Sequence, residues 1–261
     1  VGLALNLAAT CNRPLKKSTE AGMDELRTHT VSVHALDTLS GLDTRHPYHQ
    51  YIMSRYAKIG LAASGLDSML FYSAYTGYLN LKAVGKTNST RLAVADFRLP
   101  SSAYRLWVID FASDTLLLHT WVAHGKGSGT AMATSFSNRI GSLQTSLGFY
   151  ITGEEYIGKN GRSLRLDGLD PEFNSNARQR YIVMHGADYV SQDTIDAYGY
   201  LGNSEGCPAV SHQVNSQLIN WMKGGGVLFV WGNTEKYSSG WLDEERALVY
   251  LQQMEIISKA H

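Results

Sequence analysis

The chain has 261 residues, with 23 Lys and Arg against 23 Asp and Glu, so its formal charge is zero. This balance gives no electrostatic reason to expect nucleic acid or an anionic membrane surface as a partner. The 15 tyrosines and 25 glycines are typical of strands joined by tight turns, in one large β-rich domain or two smaller ones.

Residues 1–47 are predicted to be largely irregular, with a short helix within 23–42. The first eleven residues, VGLALNLAATC, are apolar and small, as around a secretory signal, which favours an exported protein. Cys11 has a faintly lipoprotein-like context, and a Cys11–Cys207 disulfide is an alternative that would remove the free thiol. No run of eighteen apolar residues occurs, so we expect no membrane-spanning segment.

Two helices are predicted next. Apolar residues recur at spacings of three and four over 48–63, and again from Leu66 to Leu81. Between them, Ser64 to Asp67 forms a break with a possible capping box, and Gly85 is a plausible stop. We interpret residues 48–88 as an N-terminal helical module that packs on the main domain.

From residue 91 the apolar period changes to that of strands. Strands are predicted at 91–97, 104–111, 115–125, 147–158, 163–169, 181–185 and 227–232. Helices are predicted at 211–223 and 241–259. These elements indicate a mainly antiparallel β domain at 89–235, followed by a C-terminal helical extension at 236–261.

One pair of residue types suggests covalent chemistry. The apolar run 181–184 ends on His185-Gly186, and the turn SEGCP (204–208) carries the second of the two cysteines. A thiolate stabilised by an imidazole is a nucleophile, and the imidazole then returns the proton. The turn amides of Gly206 and Cys207 could stabilise an oxyanion. The alternative is a buried cysteine with an unrelated histidine.

Other chemistries have weaker signals. A metal site could be built from His119, His124, His185, Cys207 and His212, but no pair has a dedicated ligand spacing. No carboxylate pair has a glycosidase signature. The glycines of 125–129 lack the Lys-Ser/Thr ending of a phosphate loop. No cofactor is therefore expected.

The order of the pieces resembles the YkuD-type L,D-transpeptidase catalytic domain, a family of cell-wall enzymes. The matching pieces, spread over roughly 91–233, are VADF, YRLWVID, WVAHGKGSG, ATSFSN, SLGFYITGEEYIGKNGRSLRLDGLD, ARQRYIVMHGADYVS and GCPAV. The resemblance implies an α+β fold: a mainly antiparallel, YkuD-like β-sandwich or barrel between the helical module and the C-terminal helix. It also implies an exported, periplasmic or cell-envelope protein.

The resemblance assigns roles to the residues of the pair. Cys207 is the implied nucleophile and His185 the base, while Gly206 and Cys207 offer oxyanion amides. Ser204 occupies the Ser/Thr position of the motif. A backbone carbonyl at Gly186 could hold the other ring nitrogen.

Further residues are implied to contact substrate. Thr145, Gly148 and Tyr150 match the strand-and-turn motif that lines the cleft, with Ser146 in place of the family's Pro. His124, in a Gly-rich loop, either lines the cleft or lies at the surface.

The chain departs from the family pattern around the cysteine. Glu205 stands where the motif has His, and Pro208 to Val210 supply neither the usual Arg nor Asn. The group that receives the substrate carboxylate is therefore open. The candidates are Arg139, Arg165, Arg178 and Arg180.

The resemblance implies a cysteine acyltransferase that acts on peptidoglycan stem peptides. Cys207 would attack a tetrapeptide stem, release D-alanine and pass the acyl group to an amine, and a carbapenem would acylate the same sulfur. Water as acceptor would give an L,D-carboxypeptidase or endopeptidase. A peptidoglycan-binding protein with a dead site is the alternative from another class.

Overall fold

The structure is a computed structural model that describes residues 31–32, 46–234 and 236–259. Cys11 and the apolar segment before it lie outside the described residues, as does most of the helix predicted within 23–42. The two described residues of that range, Val31–Ser32, form a short strand, β1, that pairs with β10, Ser238–Ser239.

Helices α1 (Pro47–Ile59) and α2 (Ser68–Ala83) form the predicted N-terminal pair. Gly60, with φ of +75°, ends α1, and the Asp67 side chain caps α2 by accepting from the amides of Met69 and Leu70. A Cβ at Gly77 would overlap the Phe149 ring, so this glycine lets α2 lie directly against the sheet. The module thus packs on the β domain, as its apolar faces predicted.

The core is an eight-stranded sheet. Its strands are β2 (Arg91–Asp96), β3 (Leu106–Asp110), β4 (Thr115–Thr120), β5 (Gly148–Gly158), β6 (Gly161–Gly168), β7 (Val183–Gly186), β8 (Ala209–Val210) and β9 (Val227–Trp231). The spatial order is β4-β3-β2-β9-β5-β6-β7-β8. The β2–β9 and β7–β8 pairs are parallel and the other five are antiparallel. The predicted α+β class with a mainly antiparallel sheet is confirmed.

The remaining helices are α3 (Gln192–Tyr198), α4 (His212–Met222) and α5 (Glu244–Lys259). The sequence predicted α4 and α5 but not α3, none of whose side chains is buried. A seven-residue helix without a buried face gives no periodic apolar signal in the sequence. The domain boundaries given above stay a prediction.

Asp170 fastens the segment before α5 to the sheet. Its buried carboxylate accepts hydrogen bonds from Phe149 N (2.7 Å), the Tyr237 hydroxyl (2.9 Å) and the Ser239 hydroxyl (2.6 Å). Burial raises the pKa of Asp170 to about 6, against the lowering effect of these donors.

Candidate active site

His185 projects from β7 into a cleft. In the sheet it pairs with Ser163 on one side and Ala209 on the other. Because side chains alternate along a strand, Val183 and His185 face the same side. Buried strands on both sides fix the position of the imidazole, which is itself only 3% exposed.

The loop before β8 carries Cys207, and Ser204 braces it. The Ser204 hydroxyl accepts from Gly206 N (3.1 Å) and donates to the Cys207 carbonyl (2.7 Å). The Ser204 backbone pairs with the loop at 124–126 through His124 O and Lys126 N. Ser204 therefore orients the turn.

Gly206 is required by the turn geometry. Its φ of +123° is disfavoured for residues with a side chain, and a Cβ would lie 2.9 Å from Gln144 O. Its N–H is engaged by Ser204. In the described part of the chain, the N–H of Cys207 has no hydrogen-bond partner. One of the two expected oxyanion amides is thus free to bind an oxyanion.

The thiol of Cys207 lies against β7. Its Sγ is 3.4 Å from Val183 N and 3.7 Å from Tyr181 O. His185 Nδ1 lies 2.8 Å from Gly186 O, which fixes a proton on Nδ1 and leaves Nε2 as the basic nitrogen. Among the hydrogen bonds of the described residues, none joins the thiol to the imidazole. Both groups nevertheless line the same cavity.

Burial determines the resting charge of the pair. It lowers the pKa of His185 and raises the pKa of the Cys207 thiol, because both charged forms lose hydration. The Val183 amide, Arg180 and Lys159 act in the opposite direction on the thiol pKa. Burial therefore favours the neutral thiol and the neutral imidazole, and the sulfur becomes nucleophilic when its proton moves.

The cavity measures about 560 Å³. Its lining combines the sulfur and the imidazole with cations, hydroxyls, amides and three tyrosines. The lining residues are Lys126, Tyr156, Lys159, Asn160, Ser163, Arg180, Tyr181, Val183, His185, Tyr189, Asn203, Ser204, Glu205 and Cys207. A polar substrate with carbonyl and carboxylate groups suits such a lining.

A model of the YkuD_2 family, the L,D-transpeptidase catalytic domain, matches residues 62–231, more than half of the chain. The chain belongs to this family. A search of curated proteins found no match.

Solved structures of L,D-transpeptidases are also similar. One from Mycobacterium smegmatis shares 14% identity over 55% of this chain and 59% of its own, with a TM-score of 0.35. LdtMt1 in complex with imipenem shares 14% over 54% and 59%, with a TM-score of 0.34. The K307A mutant of the helical cell shape determining protein Pgp2 from Campylobacter jejuni shares 10% over 69% and 64%, with a TM-score of 0.39. The match spans less than two thirds of each relative's length.

Of the arginines proposed to bind the substrate carboxylate in this L,D-transpeptidase domain, one lines the cleft. Arg180 donates to the carbonyl of Ser137 (2.7 Å) and to the hydroxyls of Ser146 and Ser142. Burial lowers its pKa. Arg139 is exposed and is not among the residues that line the cleft.

The other two arginines are engaged elsewhere. Arg165 lies 2.9 Å from Glu154, and Arg178 bonds Glu154 and Asp167 on an exposed face. Glu205 does lie at the cleft, where its carboxylate is 3.3 Å from Lys126 Nζ.

Four residues expected at the cleft lie elsewhere. Thr145 and Tyr150 are buried. The Thr145 hydroxyl accepts a hydrogen bond from Gly125 N, and the Tyr150 hydroxyl donates one to Ser146 O. Both side chains therefore support the loops behind the cleft. Gly148, also absent from the cavity lining, approaches Asp170 too closely for a side chain. Gly186 faces a neighbouring pocket beside His212.

His124, which was expected either in the cleft or at the surface, is neither a surface nor a cleft residue. It is fully buried, with Nδ1 accepting from Arg105 (2.8 Å) and Nε2 lying 3.1 Å from Gly129 O. Burial and Arg105 lower its pKa to about 4, so it stays neutral. His124 holds the loop that braces the Cys207 turn.

Sequence reasoning missed several cleft residues. Lys159 and Asn160 lie in the β5–β6 hairpin turn, and Tyr181, which is 74% exposed, precedes β7 with a φ of +56°. A non-glycine residue with positive φ is often found at functional sites. The turn position of Lys159 was the available signal, but nothing local indicated that this hairpin reaches the cysteine.

Over the described residues, no group of three or more His, Cys, Asp or Glu side chains is arranged to hold a metal ion. Across the same residues, no helix combines the length and apolarity needed to cross a membrane.

Proposed function

We propose that this protein is a peptidoglycan L,D-transpeptidase in which Cys207 is the nucleophile and His185 the general base. The observation that carries the proposal is that the thiol and the imidazole line one cavity, in a chain of the L,D-transpeptidase family. The fixed Nδ1–H of His185 supports it, because Nε2 is then ready to accept a proton.

The acylation step begins with movement of the thiol. Sγ leaves Tyr181 O and turns toward His185 Nε2, which takes its proton. The sulfur attacks the carbonyl carbon of the third stem residue, a diamino acid. The oxyanion that forms accepts from the free N–H of Cys207. Collapse of the tetrahedral intermediate breaks the peptide bond, and His185 gives its proton to the departing D-alanine amine.

The thioester is then resolved by a second nucleophile. An amine of another stem attacks the thioester carbonyl, the C–S bond breaks, and the amine proton returns to Cys207 through His185. The product is a crosslink between two third residues. With water in place of the amine, the same steps give a shortened stem, which is L,D-carboxypeptidase activity.

Cations of the cleft would hold the donor stem over the sulfur. Arg180 and Lys159 line the cleft, and both lower the pKa of Cys207 through their charge. Of the two, Lys159 is exposed and forms no ion pair within the described residues, whereas the Arg180 guanidinium bonds several oxygens of the 137–146 loop. This substrate places the protein in the cell envelope, outside the cytoplasm.

Carbapenem acylation tests the nucleophile. We expect intact-mass spectrometry of the wild type with imipenem to show one covalent adduct, and Cys207→Ala to show none. An unmodified wild type, or an adduct that persists in Cys207→Ala, would contradict the role of Cys207. A protein that binds peptidoglycan stems without any adduct or turnover would be the binding protein with a dead site.

A further inference from the structure

A fully buried arginine lies in the core just before β3. Burial lowers the pKa of Arg105 to about 9, and Asp96 acts on it in the opposite direction. Asp96 itself bonds Arg98 at 2.8 Å, and within the described residues Arg105 forms no ion pair. Burying a charge without a counter-ion is costly unless hydrogen bonds compensate for the lost water. The contacts of this cation therefore show what it is there to hold.

Every nitrogen of the Arg105 guanidinium is hydrogen-bonded. Nε and Nη2 donate to Val122 O at 3.0 and 2.8 Å, and Nη1 donates to Leu99 O at 2.7 Å. Nη2 also lies 2.8 Å from His124 Nδ1. Because arginine has no acceptor, His124 Nδ1 must accept, so the proton of the neutral ring is on Nε2, 3.1 Å from Gly129 O. One side chain thus fixes two carbonyls and the tautomer of a histidine.

The backbone around His124 pairs with the chain on both sides of Cys207. Before the cysteine, Ser204 N donates to His124 O at 2.9 Å. After it, Ala123 N donates to Ala209 O at 2.8 Å. The segment that Arg105 fastens is therefore the support on which the cysteine turn rests.

The Ser204 side chain completes the connection to the reacting residue. As described above, its hydroxyl accepts from Gly206 N and donates to Cys207 O. The peptide units on either side of the free Cys207 N–H are thereby held in place. Buried hydrogen-bond networks whose members are all paired are rigid, so this connection runs through fixed groups from the arginine to the turn.

We propose that Arg105 is a positioning residue for acyl transfer: through His124 and Ser204 it fixes the direction of the Cys207 N–H that binds the oxyanion. A donor stabilises an oxyanion only when it is already aimed at the place where the charge develops. The inference rests on the proposed transpeptidase function. It adds that a cation outside the cleft sets the geometry of the oxyanion site.

The test compares two reactions of the same sulfur. Acylation by imipenem passes through a tetrahedral oxyanion, whereas iodoacetamide is attacked at a saturated carbon and loses iodide, so no oxyanion forms. Both rates are measured by mass spectrometry on the peptide that contains Cys207. The variant is Arg105→Lys, which keeps the positive charge but lacks the planar fork that reaches Val122 O and His124 together.

We expect Arg105→Lys to slow acylation by about tenfold or more, a part of the roughly 100- to 1,000-fold loss for removing an oxyanion donor outright. Alkylation by iodoacetamide is expected to stay unchanged. Arg91→Lys is the matched control, because Arg91 lies at the other end of the β2–β3 pair and should leave both rates as they are. Equal slowing of the two reactions, or no slowing of acylation, would overturn the inference.

Folding of the variants is checked by urea unfolding, and the rates are compared under conditions in which each protein is fully folded. If Arg105→Lys does not fold, His124→Gln replaces it, since this change removes the ring nitrogen that accepts from Arg105. Selective slowing of acylation in His124→Gln supports the inference. Equal slowing of both reactions, or none, overturns it.

Failure of the proposed function is seen separately, as a wild type that iodoacetamide alkylates and imipenem does not acylate. In that case the backbone amide resonance of Cys207 in heteronuclear NMR spectra still tests the connection. A shifted or broadened Cys207 amide in Arg105→Lys, with the wild-type position kept in Arg91→Lys, supports it. A Cys207 amide that is unchanged in Arg105→Lys overturns it.

Discussion

The backbone amide of Val183 lies 3.4 Å from the Sγ of Cys207, so the main chain of β7 contacts the thiol two residues before His185 on the same strand. The resting position of the thiol is therefore set by the main chain of β7, and acylation requires the sulfur to turn from there toward the imidazole. An N–H directed at sulfur also favours the thiolate once the proton has left.

Replacing His185 by alanine tests the base. Without Nε2 the thiol keeps its proton, because burial raises its pKa. We expect acylation by imipenem to slow by about 100- to 10,000-fold, the range for a lost general base. His49→Ala, a change on α1 away from the cleft, serves as the control. A His185→Ala rate within twofold of the wild type would remove His185 from the mechanism.

The pH dependence of acylation follows from the lowered pKa of His185. Its pKa lies below the ordinary value of 6.5, so the neutral, basic imidazole persists on acidification. We expect the acid limb of the rate profile to lie below pH 6.5, measured by stopped-flow loss of imipenem absorbance. A limb above pH 7 would mean that the imidazole is stabilised as a cation, contrary to its buried environment.

Gly125 supports the cysteine turn from a distant part of the sequence. A Cβ there would lie 2.9 Å from Gly206 N and would overlap Leu143 O. We expect Gly125→Ala to lower the free energy of unfolding by about 1–3 kcal/mol, as for overpacking, and to slow acylation of Cys207. Gly240→Ala has open space and is the control. Denaturant unfolding and adduct formation measure the two effects, and unchanged values in both would contradict this role.

Asp170 predicts a specific pH dependence of stability. Its folded pKa of about 6 exceeds the unfolded value of 3.8, so the folded protein binds more protons between these values. Its contribution is fully present below pH 3.8 and is lost as pH rises through 6. Relative to Asp170→Asn, we expect the wild type to lose about 2–3 kcal/mol of unfolding free energy between pH 4 and 7. Urea unfolding at both pH values measures this, and a relative gain would have the wrong sign.

Local patterns predicted most of the elements. Period-two runs identified β2 to β7 and β9, since buried strands carry an apolar face or a continuous apolar run. The central place of β9 was not predictable. It inserts between β2 and β5 although it follows them by many residues, because strand pairing depends on contacts that are distant in sequence.

The sequence predicted a thiol and an imidazole that the structure places in one cavity, and it predicted less of their surroundings. His185 and Cys207 were predicted as a pair because a histidine and a cysteine beside glycines are a signal that can be recognised from neighbouring residues alone. His124 was not assigned correctly, because its burial depends on Arg105, a buried cation 19 residues away. Lys159 was missed for the same reason, since the reach of a hairpin into a cleft depends on packing.

The most direct test of the central claim is D-alanine release from a disaccharide-tetrapeptide, followed by mass spectrometry of the protein quenched in acid. The account predicts D-alanine together with an acyl adduct on the Cys207 peptide, and neither product with Cys207→Ala. D-alanine release that continues in a folded Cys207→Ala protein would contradict covalent catalysis by this cysteine.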